Sequence, residues 1–158
     1  MRHSVSLLMP LLLLLLVHPV MSAESQVIGV IKTVKATASV IRGQQTIPAS
    51  IGTKLYRNDT LQTGADSSLG LIFRDDSVLS MGPNSRVILD QFLFAPVEGK
   101  HGFLIKIVHG TIAYLSGVIG KLSPSNAKFD TPVATIGIRG THFAVKVQGD
   151  NVHAGSNP

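Results

Sequence analysis

From Val27 onward the apolar residues of this chain fall on every second position in short runs, a spacing that fits strands and little else. Leu69, Leu71 and Phe73 alternate with Ser68, Gly70 and Ile72, and Val87 and Leu89 flank Ile88. Phe103, Ile105 and Ile107 alternate with Leu104, Lys106 and Val108, and Phe143, Val145 and Val147 alternate with His142, Ala144 and Lys146. Successive side chains of a strand point to opposite faces, so each run turns one face toward a core. Several runs are apolar on both faces, which suits the inside of a sandwich or a stacked coil of strands. Beyond the N-terminus no window of a dozen or more residues keeps a 3.6-residue period with caps, so helix is minimal. The expected fold is all-β: a single domain of short strands, either a β-sandwich or a short, solenoid-like β-roll.

Turn chemistry recurs about every ten residues, the interval of a sandwich or barrel. It falls at Arg42-Gly43, Ile51-Gly52, Arg57-Asn58-Asp59, Thr63-Gly64-Ala65-Asp66, Asp75-Asp76-Ser77, Gly82-Pro83-Asn84, His109-Gly110 and Ser116-Gly117. Each supplies a residue that tolerates positive φ or folds its side chain back onto its own backbone. Two longer loops are expected, Ala95 to Gly102 and Gly120 to Lys128, the second holding the breakers Ser123-Pro124-Ser125-Asn126.

The N-terminus follows another rule. Arg2 and His3 precede an apolar run from Leu7 to Val17 with eight leucines and Pro10, and small residues follow at Ser22 and Ala23. Eleven residues cross only about half of a bilayer's hydrocarbon, so this is expected to be a secretory signal peptide, cut after Ser22 or Ala23. The domains are then 1–23 signal peptide, 24–148 all-β domain and 149–158 flexible tail. The whole chain of 158 residues carries a net charge of +5, and losing Arg2 with the leader leaves +4. No other window is long and apolar enough to span a membrane, so none is expected in the mature chain. The absence of Cys excludes disulfide frameworks, Cys-ligated zinc, iron–sulfur clusters and thiol catalysis.

The punctuation, taken in order, resembles a known family. Gly52, Leu55, Asp59-Thr60-Leu61-Gln62 and Thr63 look like a G-x-x-L-x-x-x-D-x-L-x-T opening. Leu69 to Phe73 runs into Asp75-Asp76-Ser77-Val78-Leu79, and Gly82-Pro83-Asn84-Ser85-Arg86-Val87-Ile88-Leu89 resembles a pNS-x-l-x-l strand. A Gly-containing hairpin, His109-Gly110-Thr111-Ile112, is expected next. Last, Thr131-Pro132-Val133-Ala134 through Arg139-Gly140-Thr141-His142-Phe143 looks like TP-x-A-x-x-x-x-RGT-x-F. Together these resemble the FecR domain of bacterial envelope proteins, over roughly residues 28–148. Where the family usually has Gly in an Asp-Gly-Ser turn, this chain has Asp76, which reaches the left-handed region at modest cost. The best-known members implied by the resemblance are transmembrane anti-sigma regulators whose FecR domain is periplasmic. There it receives a signal from an outer-membrane transporter. With a leader in place of their cytoplasmic segment and membrane helix, a stand-alone exported version is expected here, and sigma-factor control is not carried over.

Chemistry-bearing residues are sparse. Arg139 either presents its guanidinium to an acidic partner or pairs with Asp59 or Asp130 while Gly140 makes a bulge. Asp75 and Asp76 are better explained as a turn than as paired carboxylates or calcium ligands, since no D-x-D-x-D-G series surrounds them. His101, His109, His142 and His153 show no metal-binding spacing, and there is no Gly-x-Ser-x-Gly elbow. Neither a metal nor a cofactor is expected. The basic residues are scattered with no run and only two tyrosines to stack on bases, so nucleic acid is not an expected partner.

A non-catalytic, periplasmic or secreted protein-interaction module for envelope sensing or signalling is therefore expected. It would bind an envelope protein by a strand edge and charged loops, with Tyr56, Arg57, Arg139 and His142 as contact residues. Gly52, Asp59, Thr63, Asp75, Ser77, Asn84, Thr131, Pro132, Gly140, Thr141 and Phe143 are expected to hold the fold. The alternative is a module for an anionic envelope glycan or cell-wall polymer, using exposed Tyr56 and Tyr114.

Overall fold

A computed structural model describes residues 26–138 and 142–149. They form β1 (Gly29–Lys35), β2 (Ala38–Arg42), β3 (Gln45–Pro48), β4 (Lys54–Leu55), β5 (Thr60–Thr63) and β6 (Ser68–Phe73). Then follow β7 (Val78–Met81), β8 (Arg86–Ala95), β9 (Lys100–Leu115), a one-turn helix α1 (Val118–Leu122), β10 (Ala127–Asp130), β11 (Thr135–Gly137) and β12 (His142–Val147). The chain is all-β with minimal helix. Its strands make one curled sheet in the order β3-β2-β5-β8-β9-β7-β6-β1-β4.

The sixteen-residue β9 is the spine. Along one side it pairs first with β8 and then with β7, both antiparallel. Along the other it pairs with β10, in parallel over Phe103–Lys106, and with β12, antiparallel over Gly110–Leu115. At its middle the inward phase slips: Phe103, Ile105 and Ile107 are buried on one half, Ile112 and Tyr114 on the other. The slip coincides with a register shift against β8 and with Gly110 at φ 105. The expected hairpin at His109-Gly110 is therefore a bend inside a continuous strand. A Cβ at Gly110 would strike Ser85, whose hydroxyl accepts the Thr111 N–H at 3.0 Å.

The alternation read from the sequence lands where it should, with Leu69, Leu71, Phe73, Val87 and Leu89 all buried. Phe103, Tyr114, Phe129 and Phe143 pack ring against ring, with centroids 4.9–5.7 Å apart. Both expected loops are shorter than anticipated. Leu93, Phe94 and Ala95 stay paired with Gly102, His101 and Lys100, leaving only the short 3-10 turn Pro96–Glu98 between β8 and β9. The second contains the end of α1 and a 3-10 turn at Pro124–Asn126.

Seven of the eight expected turn sites carry a residue at positive φ: Gly43, Gly52, Asn58, Asp66, Asp76, Asn84 and, inside β9, Gly110. Asp76, at φ 64, keeps the turn without the usual glycine. Residues 49–53 bridge β2 and β1, through Ala49 N–H to Ala38 O at 2.9 Å and Gly52 N–H to Ile31 O at 2.8 Å. The sheet is thus laced together there. Elsewhere β11 pairs only with β10, and β12 only with β9, among the described residues.

Candidate functional site

Asp59 is fully buried on the turn leading into β5, and the turn is pinned to β8 by Asn58 N–H to Leu89 O at 2.7 Å. Its carboxylate accepts both Nε and Nη2 of Arg42 at 2.8 Å and the Tyr56 N–H at 2.9 Å. The same guanidinium lies 4.4 Å over the Tyr56 ring and donates to the Lys54 carbonyl at 3.0 Å. A two-toothed pair of this kind is the strong form of ion pair, and the hydrogen bond to Asp59 holds the Arg42 pKa above its ordinary value. Asp59 is therefore paired with Arg42; Arg139, for which Asp59 or Asp130 is an expected partner, lies outside the described residues. Tyr56, an expected contact residue, is half-buried under Arg42. Its neighbour Arg57 is exposed and makes no ion pair among the described residues.

Asp75 is also fully buried. It accepts the Ser77 hydroxyl at 2.6 Å, the Ser77 N–H at 3.2 Å and the Ile119 N–H at 3.1 Å, while its carbonyl accepts the Val118 N–H at 2.7 Å. The β6–β7 turn thereby satisfies the free donors at the start of α1. Gly117 is required at this contact, because a methyl group there would collide with the Asp75 carbonyl and the Ser77 N–H. Beside it the hydroxyls of Tyr114 and Ser116 are buried without hydrogen-bond partners among the described residues. Burial pushes the Tyr114 phenol up to about 12; the neighbouring Ser77 hydroxyl offsets this in part, and the Asp75 charge adds to it. Tyr114 is only 1% exposed, which corrects its expected role as a surface aromatic for glycans.

Thr63 and Thr131 complete the set of internal ties. The Thr63 hydroxyl donates to Gly82 O at 2.7 Å and accepts the Ser85 N–H at 2.9 Å. Thr131 closes the β10–β11 turn, its hydroxyl donating to Ala134 O at 2.8 Å and accepting the Ala134 N–H at 3.0 Å. Pro132 and Val133 stand exposed at that turn's tip. Asn84 turns the chain at φ 47 and its carbonyl lies 2.9 Å from His109 Nδ1. Phe143 packs on the rings of Tyr114 and Phe129.

What reaches solvent is different in kind. His142 opens β12, exposed and opposite Leu115. Arg139, Gly140 and Thr141 lie outside the described residues. A cleft of about 660 Å³ runs between the Arg57-Asn58 turn, the paired ends of β8 and β9, and Lys128, with His101 and Gln91 in its wall. The Nδ1 of His101 is buried and unpartnered among the described residues. A second cleft, about 480 Å³, lies between the Thr131–Ala134 turn and the outer half of β12. Sequence reasoning missed both clefts, since they arise from strands brought together by pairing.

A protein-family model, FecR protein, matches residues 59–155. The chain belongs to the FecR family. The match opens at Asp59 and so takes in Thr63, Asp75, Ser77, Asn84, Thr131 and the Arg139-Gly140-Thr141 motif, while Gly52 and Leu55 lie ahead of it. The FecR family is generally one of regulation and signalling rather than of enzymes. No curated protein and no solved structure matches the chain. In this FecR domain Asp59, Thr63, Asp75 and Ser77 of the motif are all buried and hydrogen-bonded, while Asn84 is exposed and Thr131 half-buried. No described helix is long and apolar enough to cross a membrane.

Proposed function

We propose that this FecR domain is an exported, non-catalytic interaction module of the bacterial envelope, which recognises another envelope protein and serves sensing or signalling. The observation that carries the reading is the division of labour among its polar groups. Among the described residues, the carboxylates and hydroxyls of the family motif hold turns and strand junctions, and Asp59, Thr63, Asp75 and Ser77 line neither of the two clefts. Surface therefore does the work: the open edge of β12, with exposed His142 and Lys146, and the exposed Arg57. Paired main chain at an edge supplies affinity, and alternate side chains supply selectivity. The apolar leader of residues 7–17 supports export to the periplasm or beyond.

The test is affinity capture. The mature chain, immobilised and offered envelope fractions from cells grown under several nutrient regimes, is expected to retain one envelope protein with micromolar affinity. Recovery of none under any regime contradicts the reading, as does a purified product still carrying its leader and pelleting with the inner membrane.

The anionic-glycan reading has one observation in its favour, the 660 Å³ cleft with Arg57, His101 and Lys128 around it, whose one acid, Asp90, is paired with Lys106. Retention on lipopolysaccharide or cell wall that falls steeply with salt supports it, and no retention at low salt removes it.

A further inference from the structure

Four strands, β3, β4, β11 and β12, end the sheet or its branches among the described residues, and they differ in length. β3 has four residues and ends on Pro48, β4 has two, and β11 has three. Short strands and proline are the usual means by which proteins blunt an edge. β12 is the longest of the four, with six residues, no proline, and no pairing on its outer side among the described residues. Six residues extend about 20 Å, enough for a full ladder with an added strand.

The slot beside that edge has a definite shape and chemistry. Val145 and Val147 are only half-buried and pack on the core from β12; Ile136 does so from β11. The Thr131–Ala134 turn walls the slot at the Val147 end, and the enclosed cleft is about 480 Å³. Lys146 is the one charged residue lining it, with no acid among its lining residues, and no acid pairs with Lys146 among the described residues. Lys146 points to the opposite side of β12 from Val145 and Val147, as neighbours on a strand must.

We propose that this slot takes an extended peptide segment of the partner protein, added as a strand to β12. Its inward residues are β-branched or aliphatic, covering Val145, Val147 and Ile136, and one outward residue, opposite Lys146, is acidic. Cross-strand neighbours of opposite charge and paired apolar residues are the unit by which sheets select a strand. The occupant's alternation follows from that of β12, and its acid from the uncompensated lysine. This rests on the reading of the domain as a protein-interaction module and specifies where and how it binds.

A synthetic seven-residue peptide alternating valine and threonine, with a central glutamate, tests the site on the intact mature chain. Amide hydrogen exchange at 142–147 is expected to slow at least tenfold on saturation, while the amides of β3 are unchanged. Lys146→Glu is expected to weaken this peptide about tenfold and to favour its glutamate-to-lysine counterpart by a similar factor, the swapped preference that charge pairing demands. Lys146 is exposed, so the variant folds, and an unchanged urea midpoint confirms it. An equal effect of the swap on both peptides overturns the proposal. So does unchanged exchange at 142–147 with the peptide, even where envelope-protein capture succeeds and survives Lys146→Glu; in that case the interaction reading stands and the site lies elsewhere. A third outcome also overturns it: amides 142–147 already protected in the free chain and exposed by deleting residues 150–158, which makes the chain's own C-terminal segment the occupant.

Discussion

Arg42 shows how a residue with binding chemistry becomes a structural one. Its guanidinium covers Tyr56 and closes on a carboxylate that has lost all contact with water. Removing it leaves Asp59 buried with only the Tyr56 N–H for company. Arg42→Ala is expected to cost about 2 kcal/mol in urea unfolding, toward the low end for breaking a buried pair because the arginine is itself 38% exposed. Tyr114 gives the opposite case, a buried hydroxyl with no partner among the described residues. Tyr114→Phe is expected to leave the melting temperature unchanged or slightly raised, since an unsatisfied group is removed. The same phenol predicts a pH effect. Its folded pKa is raised from 10.0 to about 12, so the unfolded chain gives up the proton first. Stability from this group is complete below pH 10 and falls as pH rises toward 12, by about 2 kcal/mol. Melting curves of wild type against Tyr114→Phe between pH 9 and 12 check the sign: the wild type alone shows this component of the loss.

At the scale of elements, β9 decides the architecture, and its bend depends on one glycine. Gly110→Ala places a Cβ against Ser85 at a φ that side chains rarely adopt. A loss of about 3 kcal/mol in urea unfolding is expected, combining backbone strain with the overpacking. The strands themselves were legible, because burial on one face writes a period of two into the sequence. The bend was legible in part: the apolar phase passes from Ile107 to Ile112, and that change of parity signals a bulge in a continuing strand rather than a hairpin. The left-handed Ala36, at φ 57, had no such signal. It is held by bonds made at a distance, Thr37 N–H to Ser67 Oγ at 3.0 Å and Gly64 N–H to Thr37 O at 2.9 Å. Asp75 was recognisable as a turn former, but its grip on Ile119 joins residues 44 apart and no local pattern records it.

Taken whole, the molecule is laced shut on the side of β1 and β2, while β11 and β12 each keep one side unpaired among the described residues. Residue patterns located the fold and the family, yet the open edge depends on which strands pair, a property of topology that spacing does not encode. Of the four expected contact residues, Arg57 and His142 are exposed, Tyr56 is engaged with Arg42, and Arg139 lies outside the described residues. The central claim is that this domain acts by holding another protein at that edge. Photo-crosslinking in the exporting cells tests it most directly, with a photoreactive residue at the exposed Ala144 of β12 and, as control, at the exposed Thr46 of β3. A single envelope protein captured from position 144 and not from position 46 is the predicted result. Capture from position 46 alone, or from neither while the protein is exported and folded, contradicts it.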